Sequence, residues 1–236
     1  MTHSKRRFLA AAALATALAA LLAFAASSPA GVKSASLFAP EKGNFKIFVN
    51  GQQMGKEQFE IGPSSGNWVA RGTSDIQSPD GTMHVSGTLE LHADGTPAHY
   101  EWSTEGAKKA SATIGFSGST ATIELRLEGR RPFTQQLTFN SPQIVILDNN
   151  LYHQYAVLAR LYDHDKKGAQ TFSVLVPQEL TPGSVTVESL GAQDVGGKKL
   201  EELTVKTEDL EVDLYLDGAR LVRIAAPSTN AEIVRE

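Results

Sequence analysis

A mainly β fold is predicted, an antiparallel meander rolled into a barrel or half-barrel with one short helix at about residues 150–163. Three observations predict it. Runs of alternating apolar and polar residues recur along the chain, short turn signals separate them, and one segment alone carries helical spacing. In Thr82 to His92, Met83, Val85, Leu89 and Leu91 share one face, and His84, Ser86, Thr88, Glu90 and His92 share the other. In Thr120 to Glu128, Ile123, Leu125 and Leu127 oppose Thr122, Glu124, Arg126 and Glu128. A period of two with one polar face means a sheet with one buried and one wetted side.

The elements follow in order. Phe45 to Val49, Asn50-Gly51 and Gln52 to Ile61 read as a hairpin, because both central positions of a type I′ turn need positive φ. Trp68 to Ile76, Thr82 to Ala93 and Ala98 to Trp102 follow, joined by Pro79-Asp80-Gly81 and Asp94-Gly95. Ala110 to Phe116, Thr120 to Leu127, Phe133 to Phe139 and Gln143 to Leu147 continue the series. Leu151 to Asp163 breaks it, with Leu151, Tyr155, Leu158 and Tyr162 on one helical stripe. Asp148, Asn149 or Asn150 is placed to cap its start. Thr171 to Val176, Val185 to Leu190, Leu203 to Lys206, Leu210 to Leu216 and Leu221 to Ala226 complete the strands. No βαβ alternation points to a parallel sheet.

The chain has 236 residues and 41% hydrophobic residues, enough for one large β domain. Zero Cys excludes a disulfide scaffold, a Cys-ligated metal and a thiol nucleophile. A net charge of −4 argues against nucleic acid as the main partner.

The N-terminus reads as a secretory signal. Lys5, Arg6 and Arg7 precede an apolar run from Phe8 to Ala26, and Ala23-Phe24-Ala25 has the small-x-small form of a cleavage site. A cut after Ala25 is expected, with Ala30 as second choice and an uncleaved anchor as the alternative. Ser4 to Leu9 also has a weak Lys-Arg form of a twin-arginine signal. Removing residues 1–25 takes three basic and no acidic residues, so the net charge moves from −4 to −7. The expected organisation is a signal at 1–25, a leader at 26–43, one domain at 44–227 and a tail at 228–236. The expected location is the periplasm or outside the cell.

Asn44 to Gln58, Leu147 to Asp163 and the closing hairpin Val212 to Pro227 give the chain a resemblance. It is similar to periplasmic half-barrels of the lipoprotein-carrier type (LolA- and LolB-like) and to related uncharacterised exported bacterial β-rich domains. The resemblance implies a curved sheet wrapping a helix over an apolar cavity. It supplies no set of functional residues.

The candidate ligand-binding residues are Asn149, Asn150, Leu151, His153, Tyr155 and Leu158, on the helix expected to line that cavity. On a continuous helix His153 points away from the apolar stripe, toward an exposed rim. Asp148 with His153 is the one pair suited to general-base work. His92, His99, Glu90 and Glu101 share a polar face around Asp94-Gly95 and are weighed as a zinc set against a solvated outer face. Asp163-His164-Asp165 lacks the further ligands of a cation loop. Arg130-Arg131 and Lys108-Lys109 read as turn solubilisation. No G-x-S-x-G, H-E-x-x-H, P-loop or G-x-G-x-x-G is present, so no catalytic residue, metal or cofactor is assigned.

The function expected is a non-enzymatic exported binding protein for a lipid or other apolar ligand. An envelope structural or protein-interaction module is the alternative, and a hydrolase of envelope polymers the second.

Overall fold

The computed structural model describes residues 36–236. The signal sequence and residues 26–35 of the expected leader lie outside them. The first half of the domain is a meander of eight strands: β1 (Glu41–Val49), β2 (Gln52–Ser64), β3 (Asn67–Ser78), β4 (Gly81–Leu91), β5 (Pro97–Glu105), β6 (Ala110–Ser117), β7 (Thr120–Leu127) and β8 (Phe133–Thr138). A short strand β9 (Ile144–Ile146) and the helix α1 (Gln154–Leu161) follow. The second half contains β10 (Gln170–Leu175), β11 (Pro182–Val195), β12 (Lys198–Lys206), β13 (Glu211–Asp217), β14 (Arg220–Ala226) and β15 (Ala231–Arg235).

All fifteen strands form one sheet in the order β8-β7-β6-β5-β4-β3-β2-β1-β15-β14-β13-β12-β11-β10-β9. Among the described residues no ladder joins β8 to β9, so the sheet does not close. A side-chain bond bridges part of the gap: Gln135 of β8 donates to the Leu180 carbonyl (3.3 Å) in the β10–β11 connection. Most pairings are antiparallel and sequential, as the short links demand. Asn50 (φ 52°) and Gly51 (φ 75°) make the expected I′ turn between β1 and β2.

Three expectations need correction. Residues 231–235, read as part of a tail, form β15, which pairs with both β1 and β14. The run is only five residues long and follows a Pro227–Thr229 3-10 turn, so it carries little periodicity. It is also the strand that joins the two halves of the sheet. The leader likewise ends early. β1 begins at Glu41, and Phe38 is buried with its ring 5.6 Å from Trp68. Finally, β9 and β10 pair in parallel, Ile144 to Ser173 and Ile146 to Leu175, with α1 as the crossover between them.

The concave face carries the core as one continuous cluster, from Phe45 and Ile47 across Leu89, Tyr100 and Ile114 to Leu214, Leu221 and Ile233. Helix α1 packs against β9 and β14. Its Ala156, Val157, Leu158 and Ala159 are all buried, so most of its surface is apolar interior. Because β15 bonds to strands on both sides, Ile233→Ala is expected to cost about 2–5 kcal/mol of unfolding free energy, measured by denaturant titration. A change below about 0.5 kcal/mol would return these residues to the role of a tail.

Candidate functional site

The helix is shorter than its apolar stripe. It starts at Gln154 with His153 as N-cap, whose side chain makes no capping hydrogen bond to the helix backbone. Asp148, Asn149 and Asn150 therefore do not cap it, and residues 149–153 form turns instead. Asp148 acts locally: its Oδ1 accepts from the Asn150 backbone N–H (3.1 Å). A helical wheel does not apply to residues 151–153, which corrects the position of His153. Its side chain is 0% exposed, not on a rim.

His153 meets Glu57, a carboxylate on β2 that is also 0% exposed. The His153 Nδ1–H donates to Glu57 Oε1 at 2.5 Å. Glu57 also accepts from the backbone N–H groups of Tyr152 (2.7 Å) and His153 (3.3 Å). A buried carboxylate is tolerable only when donors surround it in this way. The imidazole stacks on Phe59 (centroids 5.8 Å apart), and Phe59 stacks on Phe45 (5.0 Å).

Beside this pair lies a closed ring of three bonds. The Asp148 N–H donates to the Gln154 amide oxygen (2.5 Å). The Gln154 amide N–H donates to the Tyr100 oxygen (3.1 Å), and the Tyr100 O–H donates to Asp148 Oδ2 (3.1 Å). Ser74 adds a bond to the Asn150 carbonyl (2.8 Å). Two facing glycines make room for the segment. Gly72 pairs with Gly87 across β3 and β4. A Cβ at Gly72 would collide with the His153 ring, and one at Gly87 with Leu151 and the Tyr100 hydroxyl.

The six candidate residues thus divide. Leu151, His153 and Leu158 are fully buried, Tyr155 is partly buried against the core, Asn150 is half-buried and Asn149 is exposed. Leu151 and Leu158 fill the interior rather than line an open space. Asp148, at 3% exposure, is sealed from solvent as well, and the partner of His153 is Glu57. Glu57 was not singled out from sequence, yet alternation places it on the inner face with Phe59 and Ile61. A charge on that face was the available signal.

The outer polar face holds the other histidines. Glu90 pairs with His99 as expected, while a bulge then brings Leu91 opposite Pro97. His99 bonds Glu101 (3.0 Å) and His84 bonds Asp75 (2.5 Å), both exposed. Among the described residues no group of three His, Asp or Glu side chains is placed to hold a metal ion.

A different part of the concave face is open. The inner-facing residues of β7 and β8 run from buried Ile123 and Leu137 to Leu127 and Phe133, which are 37% and 51% exposed. Leu125 pairs with Phe133, and Ala110 of β6 pairs with Leu127. The core's apolar lining therefore continues, uncovered, to the end of the sheet where β8 lacks a partner.

No family model matches the chain, and no curated protein matches it. Among solved structures the chain is similar to a β-barrel-like protein of the domain of unknown function DUF1849 from Brucella abortus. The identity is 10%, over 84% of this chain and 94% of that one, with a TM-score of 0.54. At that identity the likeness bears on a β-barrel-like fold alone, and not on the lipoprotein-carrier family in particular.

Two outcomes test the buried network. Gly72→Ala forces a methyl into the His153–Glu57 contact and is expected to lower stability by about 1–3 kcal/mol, read by urea unfolding. A neutral effect would mean the segment is not seated on the glycine. The second outcome concerns pH. Burial pushes the phenols of Tyr152 and Tyr155 up to about 12, and burial with the nearby Asp148 also raises Tyr100 well above its ordinary value. A raised folded value means that stability is present below the ordinary value of 10.0 and is lost as pH rises through the folded one. Alkaline unfolding is therefore expected between pH 10.0 and about 12, and Tyr155→Phe should move its midpoint upward. Burial also raises Asp148, against the hydrogen bonds that lower it, the Gln178 side chain first among them. Stability should therefore fall as pH rises above 3.8 through its folded value, by a component that Asp148→Asn removes.

Proposed function

We propose that this chain is an exported, non-enzymatic binding protein that takes an apolar ligand at the open end of its concave face. One observation carries the reading: inner-facing Leu127 and Phe133 are exposed where the sheet is unclosed, in line with the core rather than on the outer surface. Binding sites are concave, mainly apolar and continuous with a rigid scaffold. Export is supported by the basic n-region, apolar run and small-residue site at the N-terminus. The ligand position differs from the one expected from sequence, since Leu151 and Leu158 are enclosed by the core.

A hydrolase would need its base within reach of substrate, and the one suitable pair, Asp148 and His153, is sealed. The interaction-module reading keeps an observation of its own. β8 ends the sheet, and an unpaired edge is a template for another strand.

The test is titration with a fluorescent fatty acid, cis-parinaric acid, whose emission rises in apolar surroundings. Saturable binding is expected, weakened at least about 10-fold by Leu127→Glu with Phe133→Glu, because each side chain contributes about 1.5–3 kcal/mol when covered. Absence of saturable binding would overturn the reading and leave edge pairing in its place.

A further inference from the structure

The open end carries more than apolar surface. Two polar atoms on the inner face of β5 are buried with no hydrogen-bond partner among the described residues: Trp102 Nε1 and Thr104 Oγ1. Trp102 as a whole is 7% exposed. These residues pair across the ladder with Ala112 and Ala110 of β6. Ala112 and Ala110 in turn pair with Leu125 and Leu127, the strip that leads to Phe133. A buried donor left unpaired costs about 1–3 kcal/mol. Two of them on β5, with β6 between them and the uncovered apolar strip of β7 and β8, match a ligand that brings its own acceptor oxygen.

Charge at the same end gives the sign of that oxygen. The β5–β6 turn carries Lys108 and Lys109, and the β7–β8 turn carries Arg130 and Arg131. The two turns are tied together: the Lys109 N–H donates to the Glu128 side chain (3.2 Å), and the Glu128 N–H donates to the Lys109 carbonyl (3.0 Å). Four basic side chains there face two acidic ones, Glu105 and Glu128, on a chain whose overall charge is negative. None of the four is in an ion pair among the described residues.

We infer that the ligand of the open end is an anionic amphipath. Its single acyl chain lies on Leu125, Leu127 and Phe133, and its oxygen-bearing head accepts from Thr104 and Trp102 beneath the cationic rim. The inference rests on the binding reading above and adds the chemistry of the head group. The turn pairs that read as simple solubilisation thereby become one surface, because the meander returns both turns to the same end of the sheet.

The experiment compares three probes of equal chain length on the full chain by displacement of the fluorescent fatty acid. They are dodecanoate, an anionic acceptor; methyl dodecanoate, a neutral acceptor; and dodecylammonium, a cationic donor. Dodecanoate should bind about 10-fold tighter than dodecylammonium. Thr104→Val should weaken dodecanoate and the ester by about 3- to 10-fold and leave dodecylammonium unchanged. Lys108→Glu with Arg131→Glu should weaken dodecanoate alone. The protein has two tryptophans, so the indole N–H resonance of Trp102 should move on binding dodecanoate while that of Trp68 stays as an internal control. The ligand series and the resonance use the unaltered protein, so a variant that fails to fold does not blunt the test. Equal affinity for all three probes with an unmoved Trp102 resonance overturns the head-group inference and leaves the binding reading intact. No saturable binding of any probe overturns both. Self-association that blocks the probes and is lost with Phe133→Glu would assign the patch to a second copy of the chain, and that also overturns the inference.

Discussion

The carboxylate of Glu57, buried and surrounded by donors, is the constraint on which the rest of the molecule depends. It accepts one hydrogen bond from the His153 ring and two from the backbone N–H groups of residues 152 and 153. A carboxylate with no water around it is costly unless its acceptor sites are filled, and only the chain from Tyr152 to His153 fills them. That segment therefore has one place to lie, across β2 to β5, with His153 over Gly72 and Leu151 over Gly87. The helix that begins one residue later inherits its position and runs toward β9 and β14 in the other half of the sheet. A second charged cluster follows the same logic. Glu41 of β1 pairs with Arg160 of α1 (3.1 Å) and with Arg235 of β15, and all three side chains are largely buried. The helix is thus held to β1, to the strand that joins the halves, and to the β2–β5 face.

This arrangement explains why one region of the concave face is sealed and another is not. The crossing segment covers the row that contains Tyr100, and Ile114 and Ile123 beside it are buried in the same core cluster. That cover does not reach the ends of β7 and β8, where the same alternation continues into Leu127 and Phe133. Period two assigns side chains to a face without regard to whether anything covers that face. An open apolar end is thus a consequence of a plug shorter than the sheet it occupies, and it coincides with the missing β8–β9 ladder. The buried network and the exposed apolar strip thus belong to one arrangement: rigid polar bonds fix what fills the interior, and Leu127 and Phe133 stay outside it.

Much of the architecture was legible in the sequence. Asn50-Gly51 specified a turn type, the alternation in β4 and β7 specified a wetted face, and Asp94-Gly95 set the Glu90–His99 register. The parts that were not legible share a cause: they depend on partners remote in the chain. β15 is too short to show periodicity, and it is stabilised by β1, nearly two hundred residues earlier. The parallel β9–β10 pair is a product of where α1 docks, which local pattern does not encode. His153 was placed on a rim by extending the helix backward from its apolar stripe. Glu57, 96 positions away, ends that extension by capturing the backbone N–H groups the helix would have used. The one local clue was a glutamate in phase with Phe59 and Ile61. At the open end the difficulty was topological, since Lys108-Lys109 and Arg130-Arg131 become neighbours only when the strands between them are folded.

The most direct test of the central claim is a double-mutant cycle on Glu57 and His153, using Glu57→Ala, His153→Ala and the pair, read by urea unfolding. Each single change should cost about 3–5 kcal/mol, because it strands the other group in the interior. The double change should cost less than the sum of the two by about 2 kcal/mol or more, the mark of residues that act as one unit. Additivity within about 0.5 kcal/mol would contradict the claim. It would show that the segment is held by its apolar contacts, and that the Glu57–His153 bond is a consequence of the fold rather than its anchor.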